Sequence, residues 1–232
     1  MGTMASSTHQ FGVLDLIRAG LQDLDMAREL LDELHADGID DDPLHLLMET
    51  LEKTCDPDVA LRNLVDIIKA LQSQGRDFRQ VITDNEGLVR LVTVLGVSDE
   101  MGKLMRFRPE LVMAAASDSC ESHLYNHAQR RAHVLEAVGA DPADNRMPKA
   151  TKPLAEAATA LRQTYRKQLA AIMAQDATAD DPIEIQPRIS QELSDLADAA
   201  LEGALAIARN EVDGSEHVRF AIIGMGKLGA RE

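Results

Sequence analysis

Between Leu14 and Leu34 the apolar residues Leu14, Ile17, Leu21, Leu24, Ala27, Leu31 and Leu34 alternate three- and four-residue steps, the spacing of one helix face. Gly38 supplies the stop for this predicted helix. Asp42-Pro43 and Asp56-Pro57 each join a capping carboxylate to a proline, which suits a first turn because its missing amide would have had no partner there. They predict two further helices, the second carrying Leu61, Leu64, Val65, Ile68 and Leu71 up to Gly75. Short units follow: Leu88, Leu91, Val92 and Leu95 up to Gly96, then a helix capped by Ser98 with Asp99 and Glu100 in its first turn, then one opened by Pro109. Asp118 and Glu121 have capping-box spacing and predict a helix through Val138 that Gly139 closes.

Residues 139–152 hold Pro142, Pro148, Asp141, Asp144 and Asn145 and read as a loop. Thr151 and Pro153 open a long helix whose face is Leu154, Ala158, Leu161, Tyr165, Leu169 and Ile172. Residues 176–187 are acidic with two prolines and predict an exposed linker, after which Ile189, Leu193, Leu196, Ala200, Gly203 and Ile207 mark a helix over 188–214. The pattern then changes. His217–Gly224 ends in a continuous apolar run with β-branched residues, which predicts a strand buried on both faces. Nothing upstream reads as its partner, and each buried unpaired backbone group costs about 1–3 kcal/mol, so the strand is expected to pair with sequence outside this chain. The chain is thus expected to be a fragment: a leader over 1–10, an all-α multi-helix bundle over 11–175, the linker, the 188–214 helix, and over 215–232 a first strand and glycine loop of a further domain.

Composition supports the helical reading. Aromatic residues are only 3% of the chain, with no Trp, while Leu, Ala, Met and the acids dominate, so helix formers outnumber sheet formers. A formal charge of −15 argues against nucleic acid or an anionic membrane surface, whose phosphates need a cationic counterpart. No stretch is apolar for the length a bilayer requires, and a cytoplasmic protein is the expectation. Cys55 and Cys120 lack any Cys-x-x-Cys spacing and read as inert core thiols. His123 and His127 stand four residues apart, as two zinc ligands on a helix would, but no glutamate follows His123 in the metalloprotease manner, and a solvated helix face is the reading. Arg130 and Arg131 read as solvated or paired with nearby acids, as do Lys103, Arg106 and Arg108. Met101, Met105 and Met113 read as core, and Asp40-Asp41-Asp42 and Asp180-Asp181 as turns and caps.

The candidate chemistry lies at the end. Gly224-Met225-Gly226-Lys227-Leu228-Gly229 satisfies G-x-G-x-x-G, a loop whose glycines let phosphates approach the backbone at a helix amino terminus. Its dinucleotide reading also needs a second parallel strand and an acid about 20 residues later. Phe220–Glu232 (FAIIGMGKLGARE) resembles more specifically the opening strand and loop of the nucleotidyltransferase domains in the glutamine synthetase adenylyltransferase/adenylyl-removing family. Leu91–Pro109, Leu161–Leu169 and Glu192–Arg209 resemble helical segments of the same family in order and spacing, so the likeness covers about residues 86–232. Ala230 departs from the Gly or Ser usual after the last loop glycine, and Gln163 and Gln168 stand where Arg and Glu are common.

The resemblance implies an enzyme whose amino-terminal half removes AMP from a tyrosine of glutamine synthetase by phosphorolysis and whose other half attaches it from ATP, using Mg2+, under control of a PII signalling protein. It implies that Gly224, Gly226, Lys227, Gly229 and Arg231 belong to the nucleotide-binding loop and that Arg162, Arg166 and Lys167 flank the site. The metal-binding aspartates would follow in the longer protein, so this chain alone is expected to be inactive, with no catalytic residue, metal ligand or bound cofactor of its own. Two alternatives remain open: a helical regulatory domain that docks glutamine synthetase or the PII protein, and the lead-in to a dinucleotide-binding oxidoreductase.

Overall fold

The computed structural model describes residues 11–116 and 125–230. The leader residues 1–10, the expected Asp118/Glu121 capping box, Cys120, His123 and Arg231 lie outside the described residues. The chain divides into two compact units, 1–118 and 119–232, so the division falls within the stretch that the sequence groups as one helical domain.

In the first unit the helices are α1 (Val13–Arg18), α2 (Leu24–Ala36), α3 (Asp41–Leu51), α4 (Pro57–Ser73), α5 (Arg79–Thr83), α6 (Asn85–Val97), α7 (Asp99–Phe107) and α8 (Pro109–Ala116). The single helix predicted over 14–34 is two. Gly20 adopts φ +81°, a left-handed turn that β-carbon-bearing residues resist, and Asp23 restarts the helix by accepting the Met26 amide at 3.1 Å. The break rotates the chain, so Leu16, Ala19 and Leu21 are buried while Leu14 and Ile17 face solvent. Asp58, in the first turn of α4, fixes this junction by accepting the amides of Gln22 and Asp23 at 3.0 and 3.2 Å.

Of the other cap signals in this unit, Asp42 lies inside α3, which begins at Asp41 with no side-chain cap bond from Asp40, whereas those of α4 and α7 form as read. Asp56 accepts from the Val59 amide at 3.0 Å with Pro57 following it, and Ser98 accepts from the Met101 amide at 3.2 Å. Leu61, Leu64, Val65, Ile68 and Leu71 are buried, as are Leu88, Leu91, Val92 and Leu95 on α6, which packs against α4. Met101 and Met105 join this core, whereas Met113 is exposed, as is Cys55, which follows the end of α3 and faces water rather than the core.

In the second unit, α9 (His127–Val138) begins with a capping box in which Asn126 and Gln129 exchange bonds of 2.9 Å, and it ends at Gly139 with φ +79°. α10 (Leu154–Ala177) and α11 (Pro182–Glu211) are joined by residues 178–181 alone. Much of the expected linker is therefore helix: Asp181 caps α11 by accepting the Ile183 and Glu184 amides, and Pro187 lies inside the helix. Of the predicted α11 face, Leu193 turns outward, and Glu192, Ser194 and Asp195 are buried instead. α9, α10 and α11 pack mutually over two apolar clusters, one around Leu135, Val138, Ala157 and Ile207, the other around Ile172, Ile189 and Leu196.

The strand expected near 217–224 does not form. Ser215–His217 is a 3-10 turn, and residues 218–225 carry no regular structure before a last turn, α12 (Lys227–Ala230). The reason is the one that made the strand demanding: a strand exists through its ladder, and no strand occurs among the described residues to pair with it. Val218, Phe220, Ile222, Ile223 and Met225 are left exposed.

Candidate functional site

The glycine loop has three glycines with separate structural reasons. Gly226 takes φ +63°, the left-handed region. A β-carbon on Gly229 would lie 2.5 Å from the Gly224 carbonyl oxygen, and one on Gly224 would meet Leu228 at 3.1 Å. The loop thus closes on itself, and the Ala230 amide donates to the Gly226 carbonyl at 2.9 Å. Lys227 points to solvent. A small-residue backbone beside an exposed ammonium suits a phosphate, which is the part of the expected site that fits these residues. Residues 218–230 contain no carboxylate, so they supply no Mg2+ ligand.

Arg162, Arg166 and Lys167 lie on α10, where Arg162 and Lys167 are exposed and Arg166 is half-buried. Arg162 donates to the Thr159 hydroxyl at 3.3 Å. Among the described residues no hydrogen bond or ion pair joins this trio to the glycine loop.

A cavity of about 490 Å³ opens beside the segment that leads into the loop. Met147, Leu205, Val212 and Phe220 line its apolar part, and the guanidinium-bearing residues Arg146, Arg209 and Arg219 surround it. Arg209 is held there by donating to the Pro148 carbonyl at 3.1 Å. Asp144 orders the turn below by accepting the Arg146 and Met147 amides at 2.8 and 3.0 Å, and these bonds hold its carboxyl below the usual carboxylate range. Sequence reasoning missed these arginines because they come from three separate segments, none with a basic run.

Behind the cavity, charged residues tie α9 to its neighbours. Arg131 forks onto both Glu202 carboxylate oxygens at 2.7 and 2.8 Å and donates to the carbonyls of Pro142 and Asp144. Arg130 is buried, with a side chain 2% exposed, and donates to Glu192 at 2.5 Å and Gln168 at 2.9 Å. Arg188 approaches the other Glu192 oxygen at 3.4 Å. Burial pushes the Glu192 carboxyl above its ordinary range despite Arg130 and Arg188, and lowers Arg130 from its ordinary value despite Glu192. The Arg130 and Arg131 pairs are with acids as read, but the acids are 62 and 71 residues away, a distance no local pattern reveals. Gln168, one of the departures from the expected helix pattern, is the third member of the buried group.

Comparison with known proteins gives a consistent answer. The family model for glutamate-ammonia ligase adenylyltransferase matches residues 88–232. A bifunctional glutamine synthetase adenylyltransferase/adenylyl-removing enzyme of Bifidobacterium longum strain DJO10A is 68% identical over 99% of this chain and 21% of the relative. Relatives of the same name from Cutibacterium acnes and Leifsonia xyli are each 34% identical, over 94% and 96% of the chain and 22% of each relative. The chain therefore spans about a fifth of the length of the curated relatives it matches. No solved structure matches it.

Proposed function

Since the chain belongs to the glutamate-ammonia ligase adenylyltransferase family, we propose that it is an amino-terminal part of an enzyme that adds AMP to glutamine synthetase and removes it. The observation that carries the reading is the family match over 88–232, which runs through the closed, glycine-dependent turn at 224–229. In this reading the half that contains the chain performs the removal. A phosphate oxygen attacks the phosphorus of the tyrosine-linked AMP, the bond from phosphorus to the tyrosine oxygen breaks, and ADP and free tyrosine result.

Gly224, Gly226 and Gly229 let the backbone approach the phosphates, and Lys227, with Arg231 in the same segment, balances their charge. Arg162, Arg166 and Lys167 add positive charge at the margin. Mg2+, when bound, neutralises phosphate oxygens, and its carboxylate ligands come from elsewhere in the longer protein, as do the groups that bind ATP for the opposite reaction. Glutamine synthetase is the macromolecular substrate, and a PII protein sets the direction. The exposed apolar residues of 218–225 become one strand of the catalytic domain's sheet.

The test compares this chain with the full-length parent, assaying ADP formation from adenylylated glutamine synthetase in inorganic phosphate and Mg2+. The parent releases ADP, Lys227→Ala in the parent slows release at least about tenfold, as losing one charge-assisted phosphate contact does, and the chain alone is inactive. Release by the isolated chain at the parent's rate, or full activity of the Lys227→Ala parent, overturns the assignment.

A further inference from the structure

We propose that His127, Asp195 and Asp198 form a site for a first-row divalent metal ion, with Zn2+ as its principal occupant, clipping the start of α9 to the middle of α11. The His127 imidazole and one carboxylate oxygen from each aspartate lie within 4.8 Å of one another. Zn2+ bonds to imidazole nitrogen and carboxylate oxygen run about 2.0–2.2 Å, so neighbouring ligands of a tetrahedral ion stand about 3.3–3.6 Å apart. Small side-chain rotations close the difference.

The helices hold the three groups in position. Asp195 and Asp198 are one turn apart on α11 and share a face. His127 is the first residue of α9, whose start is fixed by the Asn126–Gln129 capping box. The register of the two helices is locked nearby on both sides: Arg130, one turn after His127, bonds Glu192, one turn before Asp195, and at Gly203 a β-carbon would come 2.5 Å from Val134. A rigid frame of this kind is what a three-ligand metal site requires.

The donor set selects the ion. One imidazole nitrogen with two carboxylates suits Zn2+ and Co2+, while Mg2+ and Ca2+ prefer oxygen alone. Asp195 is 4% exposed, Asp198 is half-buried and His127 is exposed, which places the ion at the rim with a route in from solvent. Asp195 and Asp198 keep their existing neighbours, and the ion adds a shared partner.

The experiment titrates the whole 232-residue chain with Co2+, read by its visible ligand-field absorption, and then with Zn2+ as competitor. One Co2+ per chain binds and is displaced by Zn2+, and excess Mg2+ leaves the spectrum unchanged. His127→Ala and Asp198→Asn, both outside the core, each weaken binding at least about tenfold while leaving the far-UV circular dichroism intact. Absence of a Co2+ spectrum, binding that survives both substitutions, or displacement by Mg2+ overturns the proposal.

Discussion

The buried Arg130–Glu192 pair shows how much a single side chain decides in the second unit. Removing one partner leaves a charge in a site that is almost fully enclosed, and breaking such a pair costs about 3–5 kcal/mol, far above the 0–1 kcal/mol of an exposed pair such as Lys69–Glu33. Arg130→Ala is therefore expected to lower unfolding free energy by about that amount in urea denaturation, whereas Arg130→Met with Glu192→Met recovers most of it. A double variant no more stable than Arg130→Ala would refute this account. Asp144 behaves differently because its carboxyl is held below the ordinary value of 3.8 by two amides of its own turn. A depressed carboxylate contributes stability above its unfolded value and loses it as pH falls through the folded one. The protection of the Arg146 and Met147 amides against hydrogen exchange, relative to the intrinsic rate at each pH, is thus expected to fall below pH 3.8 in the native chain, and Asp144→Asn removes that pH step.

Some helix starts were legible from the local signal alone. Asp56 and Ser98 cap as their sequence contexts predict, and Asp56→Ala is expected to cost about 1 kcal/mol through the lost bond to Val59, measurable as a lower thermal midpoint. What escaped was set by contacts between distant segments. The apolar spacing from Leu14 to Leu34 is continuous across Gly20, so periodicity alone gave no break; the turn there is held by Asp58, more than 30 residues away. Likewise Pro187 suggested a linker, yet at the sixth position of α11 it forgoes only the bond to Ile183 in the exposed first turns. The α9–α11 contact rests on the missing side chain of Gly203. Gly203→Ala places its methyl 2.5 Å from Val134 and is expected to destabilise the second unit by about 1–3 kcal/mol. Val134→Ala on the Gly203→Ala background should restore part of the loss, and strict additivity of the two changes would contradict a direct clash.

At the scale of the whole chain, the candidate site was legible as a motif but not as a shape. The glycines of 224–229 announce a turn that a β-carbon would disrupt, and that turn is present; the strand before it was equally clear as a pattern yet is not formed, because a ladder needs a second strand and a sequence pattern names no partner. The result is an apolar segment in water: Phe220 is 65% exposed and Ile223 83%, in a chain whose other large apolar residues mostly lie in two cores. Uncovered apolar surface of this kind marks a place where further protein packs, and the chain is only 21% of its B. longum relative. Trypsin reports on this directly, since Arg219 and Lys227 flank the segment and both are exposed, while α9 to α11 are packed. In the isolated chain, cleavage after Arg219 and Lys227 is expected to precede cleavage within α9 to α11. In the full-length parent the bond after Arg219 is expected to resist until the protein unfolds, because a strand inside a sheet cannot enter a protease cleft. Equal cleavage rates at Arg219 in the chain and the parent would show that the segment stays uncovered in the longer protein, and the sheet reading of 218–225 would fall with it.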